Sequence, residues 1–94
     1  MLITPATRVR ATSDQVSSEL GKEVVILQLA NGLYYGLDEV GVEIWRKLQD
    51  GCLVSDIVAA ITEKFDVEAA RCETDVLRIL DEMQKAQLVV VETA

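Results

Sequence analysis

Apolar residues favour strand patterns along the first third of the chain and recur at helical spacing along the rest. Arg8-Val9-Arg10-Ala11-Thr12 reads as a short strand. Ser13-Asp14-Gln15 reads as a polar turn, and Ser17 to Lys22 as a loop containing Gly21. Val24-Val25-Ile26-Leu27-Gln28-Leu29 is rich in β-branched residues and is the strongest strand signal. Asn31-Gly32 follows, a dipeptide favoured in two-residue hairpins, and Leu33-Tyr34-Tyr35-Gly36-Leu37 reads as the return strand. These segments predict a three-stranded antiparallel sheet.

The period then changes from two to about 3.6. Asp38 sits where an N-cap belongs, with Gly41 after it, and Val40, Ile44, Trp45 and Leu48 form one apolar stripe. Gly51 ends this helix. Ser55 is the expected cap of a second helix with the stripe Ile57, Val58, Ile61 and Phe65, closed by Asp66. A third helix is expected from Glu68 to Lys85, with Cys72, Val76, Ile79, Leu80 and Met83 on its apolar side and Leu77 beside them. Gln87-Leu88-Val89-Val90-Val91 reads as a short closing strand. The order β-β-β-α-α-α predicts an α+β fold, with helices on one face of a small sheet. The later helices resemble a helix-turn-helix, and with the hairpin a winged helix. With no repeat and no linker, residues 1–94 are expected to form a single domain.

Half of the 94 residues are hydrophobic, but Trp45, Tyr34, Tyr35 and Phe65 are the only aromatics, so the core is aliphatic. A net charge of −7 opposes a nucleic-acid or anionic-membrane partner, since both need a basic surface. The acidity either keeps the domain soluble or suits a weakly charged or mildly basic partner. Cys52 and Cys72 are too few for a secreted disulfide scaffold, and they imply a reduced, cytoplasmic chain. Met1 to Thr7 contains Pro5 and no long apolar run, so no signal peptide is expected. No stretch approaches the roughly 18 apolar residues of a membrane span.

The chain has no histidine, and so lacks the commonest general base and the commonest metal ligand. It has no glycine-rich phosphate loop, and its carboxylates lie among Arg and Lys on helix faces. Neither metal, nor cofactor, nor catalytic residue is expected, and the chain is read as no enzyme. Cys52 and Cys72 are either small buried hydrophobes or reactive thiols, and Trp45 is either core or a binding anchor.

Three segments, in this order, resemble the PqqD-like family of precursor peptide recognition elements. They are Tyr34 to Trp45; Leu48-Gln49-Asp50-Gly51 leading into Ser55-Asp56-Ile57-Val58; and Asp75 to Leu80 followed by Gln87-Leu88-Val89. The resemblance covers about residues 5 to 91 and implies a winged-helix-like fold of three strands followed by three helices. It also implies a role: binding the leader segment of a ribosomally made precursor peptide. The leader would add as a strand beside the third strand, in the groove against the third helix. The run Tyr34-Tyr35-Gly36-Leu37 before Glu39-Val40-Gly41 resembles the lasso-peptide group, whose partners are a leader peptidase and a cyclase. The pyrroloquinoline quinone group, partner to a radical enzyme, is the alternative. The polar segment Val16 to Gly21 departs from the strand character that the family implies.

The residues themselves are consistent with that role. Leu33 to Leu37 would form an edge strand, whose unpaired backbone groups invite an added strand. The expected leader-binding residues are Leu33, Tyr34, Tyr35, Gly36 and Leu37 on the strand, with Asp75, Arg78, Ile79 and Glu82 on the third helix. Asp75 and Arg78 lie three apart, so they either face the groove or form a surface ion pair. A DNA-binding winged helix is a further alternative. Its recognition helix would carry an excess of basic residues. Here Arg71, Arg78 and Lys85 are set against Glu68, Glu73, Asp75, Asp81 and Glu82.

Overall fold

A computed structural model describes residues 3–92. Residues 1–2 and 93–94, which the single-domain expectation included, lie outside the described residues. The elements run β1 (Arg8–Ala11), β2 (Gln15–Leu20), β3 (Glu23–Gln28), β4 (Tyr34–Leu37), α1 (Glu39–Leu48), β5 (Cys52–Leu53), α2 (Val54–Lys64), α3 (Ala69–Lys85) and β6 (Val89–Glu92). The α+β class, with a three-stranded antiparallel sheet and three helices, is as expected.

The strands of that sheet differ from the expectation. It has the order β2-β3-β4, and β1 belongs instead to a second sheet of order β5-β1-β6. The segment read as a loop, Ser17 to Lys22, is mostly strand β2 followed by a two-residue turn at Gly21-Lys22. Gly21 has φ +66°, which only glycine adopts readily, and this suits the first position of a tight hairpin. By contrast Asn31-Gly32 lies in a longer connection between Gln28 and Tyr34; there Gly32 has φ +70° and donates its N–H to Gln28 O at 2.8 Å. The polarity of β2 has a physical cause. Its inward face carries Glu19, which meets Arg46 of α1 at 2.9 Å instead of an apolar layer. With neither face buried in apolar surroundings, β2 shows no alternation, and its pairing with β3 holds it in place.

In the second sheet β1 joins both ends of the chain. Arg8, Val9, Arg10 and Ala11 pair with Glu92, Val91, Val90 and Val89. Arg10 Nε donates to Glu92 Oε1 at 2.7 Å, and Arg10 Nη2 donates to Asp50 O at 3.2 Å. Gly51 sits under this contact with φ +75°, where an added Cβ would lie 2.5 Å from Glu92 Oε1.

Asp38 caps α1 as expected, its carboxylate accepting from the Gly41 N–H at 3.0 Å. Ser55 does not cap α2. The N-cap is Leu53, whose N–H donates to the Asp56 carboxylate at 3.3 Å, while the Ser55 N–H donates to Pro5 O at 3.0 Å. Ile44, Trp45 and Leu48 of α1 are buried with Ile26 of β3, Ile57 of α2 and Leu80 of α3 in one core. Trp45 is 3 % exposed, which decides for core over anchor. Cys52 and Cys72 are buried and free.

Replacing Trp45 by Ala is expected to cost about 3–5 kcal/mol, as large-to-small core changes do. Urea unfolding followed by circular dichroism measures it. A midpoint close to wild type would show that the ring is not part of the core.

Candidate functional site

β4 is an edge. Among the described residues its one strand partner is β3, and no strand pairs with its other side. Which of its backbone groups face outward follows from the register. Gln28 N–H donates to Leu33 O at 2.9 Å, which makes Gln28 and Leu33 a hydrogen-bonded pair. In an antiparallel ladder such pairs alternate with non-bonded ones. Ile26 with Tyr35 and Val24 with Leu37 are therefore bonded pairs, whereas Leu27 with Tyr34 and Val25 with Gly36 are not. The N–H and C=O groups of Tyr34 and Gly36 point to the open side; those of Tyr35 point to β3.

Side chains alternate the other way, between the two faces of the sheet. Tyr35 and Leu37 pack against the core, while Tyr34 is 71 % exposed and Gly36 is open to solvent. Leu33 precedes the strand in the connecting loop and is exposed. Gly36 has ordinary extended geometry with no atom near its Cβ position, so it leaves the edge free of side-chain bulk.

Just downstream of β4, Val40 opens onto an apolar pocket of about 150 Å³. Ile61, Phe65, Val76 and Ile79 form much of its wall, and Arg71 and Asp75 supply charged groups. The third helix thus brings Asp75 and Ile79 to the same concave surface. Arg78 and Glu82 do not line the pocket. They form an exposed pair at 3.6 Å on the same helix. Asp75 and Arg78 are not paired with each other among the described residues. Val40, Ile61, Phe65 and Arg71 were not expected as site residues. The first three lay within apolar stripes that are legible as core, and only the packing of three helices leaves a pocket between them.

Cys72 also lines the pocket, its Sγ 3.9 Å from Val58 O. Burial pushes its thiol above the ordinary range, and the Asp75 carboxylate adds to the rise. Burial likewise raises Cys52, with Asp56 contributing. Neither environment favours a thiolate nucleophile. Among the described residues no group of three or more His, Cys, Asp or Glu side chains is placed to hold a metal ion, and no helix is long and apolar enough to cross a membrane.

Residues 23–89 match the profile of the family described as Coenzyme PQQ synthesis protein D (PqqD). The chain belongs to the PqqD family. The matched region runs from β3 to β6 and includes β4, α3 and the pocket between the helices. No curated protein matches the chain significantly. Among solved structures, TbiB1 in complex with the TbiA(beta) leader peptide is similar, with 32% identity over 90% of this chain and 99% of that one and a TM-score of 0.83. A lasso peptide synthetase B1 complexed with the leader peptide shares the fold at 20% identity, covering 87% of this chain and 96% of that one with a TM-score of 0.78.

Both thiols of this PqqD-family chain are expected to resist Ellman's reagent at neutral pH and to react fully in denaturant. Fast labelling of Cys72 in the folded protein would contradict its burial.

Proposed function

We propose that this chain binds the leader segment of a ribosomally synthesised precursor peptide, of the lasso class, and presents it to a leader peptidase and a cyclase. The observation that carries this reading is the 32% identity to TbiB1, a protein whose structure holds a leader peptide, combined with an unpaired β4 edge in this chain. Lasso biosynthesis is favoured over quinone biosynthesis because both similar structures are B1-type proteins.

The peptide adds as a strand against the outward N–H and C=O groups of Tyr34 and Gly36. Leu33 and Tyr34 offer exposed apolar surface beside it. Tyr35 and Leu37 contribute through the core by holding the edge in position. An apolar side chain of the peptide enters the pocket at Ile79, and Asp75 with the Arg78–Glu82 pair supplies charge along the flank of α3. The chain has no catalytic part in this reading: it concentrates and orients the peptide, and the partner enzymes do the chemistry.

Proline substitution separates the two sides of the strand. Gly36→Pro removes a donor that faces outward, a place where an edge strand tolerates proline. Affinity for a fluorescein-labelled leader segment of a lasso-type precursor is expected to fall at least ten-fold, with the circular dichroism spectrum unchanged. Tyr35→Pro removes a donor to β3 and is expected to lower the melting temperature. A folded Gly36→Pro variant with wild-type affinity would exclude docking on this edge.

The charge on α3 gives a second test by the same titration. Asp75→Ala is expected to cost about 1.5–3 kcal/mol of binding, the range for a hydrogen bond to a charged group. Arg78 is exposed and paired on the surface, so its replacement should leave the melting temperature unchanged. If neither substitution shifts affinity beyond two-fold, the charged flank makes no contact with the peptide.

A further inference from the structure

The two walls of the proposed groove belong to different parts of the fold. β4 is the edge of one sheet and packs on β3 and α1. α3 packs on α2 and on β6, a strand of the other sheet. The apolar core joins them through α1 and α2, but apolar packing is non-directional, and a hydrogen-bonded link would define the width more sharply.

Gln28 spans the interval. It ends β3 at a position where Val24 and Ile26 set a buried period of two, and it is 1 % exposed. No other polar or charged side chain is buried among the described residues. Its Nε2 donates to Gln87 O at 2.7 Å, and its Oε1 accepts from the Ala30 N–H at 2.6 Å. Gln87 follows Ala86, the C-cap of α3, with φ +62°. The Gln87 N–H bonds back to Gln84 O at 3.0 Å and the Leu88 N–H to Met83 O at 2.9 Å, so the Gln87 carbonyl is fixed to the last turn of the helix. Ala30 lies in the connection that leads into β4. One buried side chain thus joins the end of α3 to the hairpin that carries the edge strand.

We propose that Gln28 is a positioning residue for peptide binding, a strut that sets the separation of β4 and α3. This rests on the peptide-binding reading above. Both bonds are short and directional, so they fix a distance that an aliphatic side chain of the same length would not. A buried amide bonded at both ends also resists displacement, because breaking either bond strands a polar group. With the strut in place the groove is ordered before the peptide arrives, and the cost of ordering is not subtracted from affinity.

The test uses Gln28→Met, which keeps the length and loses both bonds, and Gln28→Glu, which keeps the bond to Ala30 and loses the donor to Gln87. Val9→Ala, in the other sheet, serves as a control for general loss of stability. Both Gln28 variants are expected to fold, to bind the labelled leader segment at least ten-fold more weakly than wild type, and to bind more weakly than the control. Without peptide, hydrogen exchange at the Gly32 and Tyr35 amides is expected to quicken relative to α2 amides in the Gln28 variants and not in the control. This second readout stands even if the wild-type chain binds no leader, an outcome that would sink the functional reading alone. Affinity within two-fold of wild type, unchanged exchange in the hairpin, or failure of both Gln28 variants to fold would each overturn the role assigned to Gln28.

Discussion

Among the described residues β4 pairs with β3 alone, and the rest of the structure determines what can approach its free side. The hydrogen-bond register leaves the main-chain groups of Tyr34 and Gly36 directed outward. Glycine at position 36 and exposed Tyr34 leave those groups accessible. The strand is only four residues long, which limits the hazard of an open edge. The same shortness limits the affinity that backbone pairing can supply.

Magnitudes indicate how the remainder is divided. Four main-chain bonds at about 1 kcal/mol each give about 4 kcal/mol. Micromolar affinity requires about 8 kcal/mol. Burying one aliphatic side chain of the peptide adds about 1.5–3 kcal/mol, and a charged hydrogen bond adds a similar amount. In the proposed reading the pocket beside Ile79 and the carboxylate of Asp75 supply this remainder, and a groove ordered in advance lowers the entropic cost set against it. Gln28 lies where the helix wall and the strand wall can be held in register.

Much of this was legible in the sequence, because it rests on local patterns. The β3 signal, the Asp38 cap and the stripes of α1, α2 and α3 each depend on residues a few positions apart, and the structure contains all of them. The family was legible from three ordered segments. The strand β2 was not, since its inward residue Glu19 meets Arg46 instead of an apolar neighbour. The second sheet was not either. Its central strand pairs Arg8 with Glu92, and no local pattern encodes a contact between opposite ends of the chain. At the site, the β4 strand was readable as the return strand of a hairpin and the apolar stripe of α3 from its helical period, whereas their joint place beside a peptide came from the family resemblance. The orientation of individual N–H groups was not, because it depends on the register with β3. Gln28 did leave a trace, a polar residue at a position where period two calls for an apolar one.

The central claim is that the peptide pairs with the outward-facing backbone of β4. Residue-resolved amide hydrogen exchange with and without saturating leader segment measures this directly. The account predicts that the Tyr34 and Gly36 amides, fast in the free chain, become strongly protected on binding, while the Tyr35 amide, already bonded to β3, changes little. A peptide that binds and leaves the Tyr34 and Gly36 amides in fast exchange would contradict it.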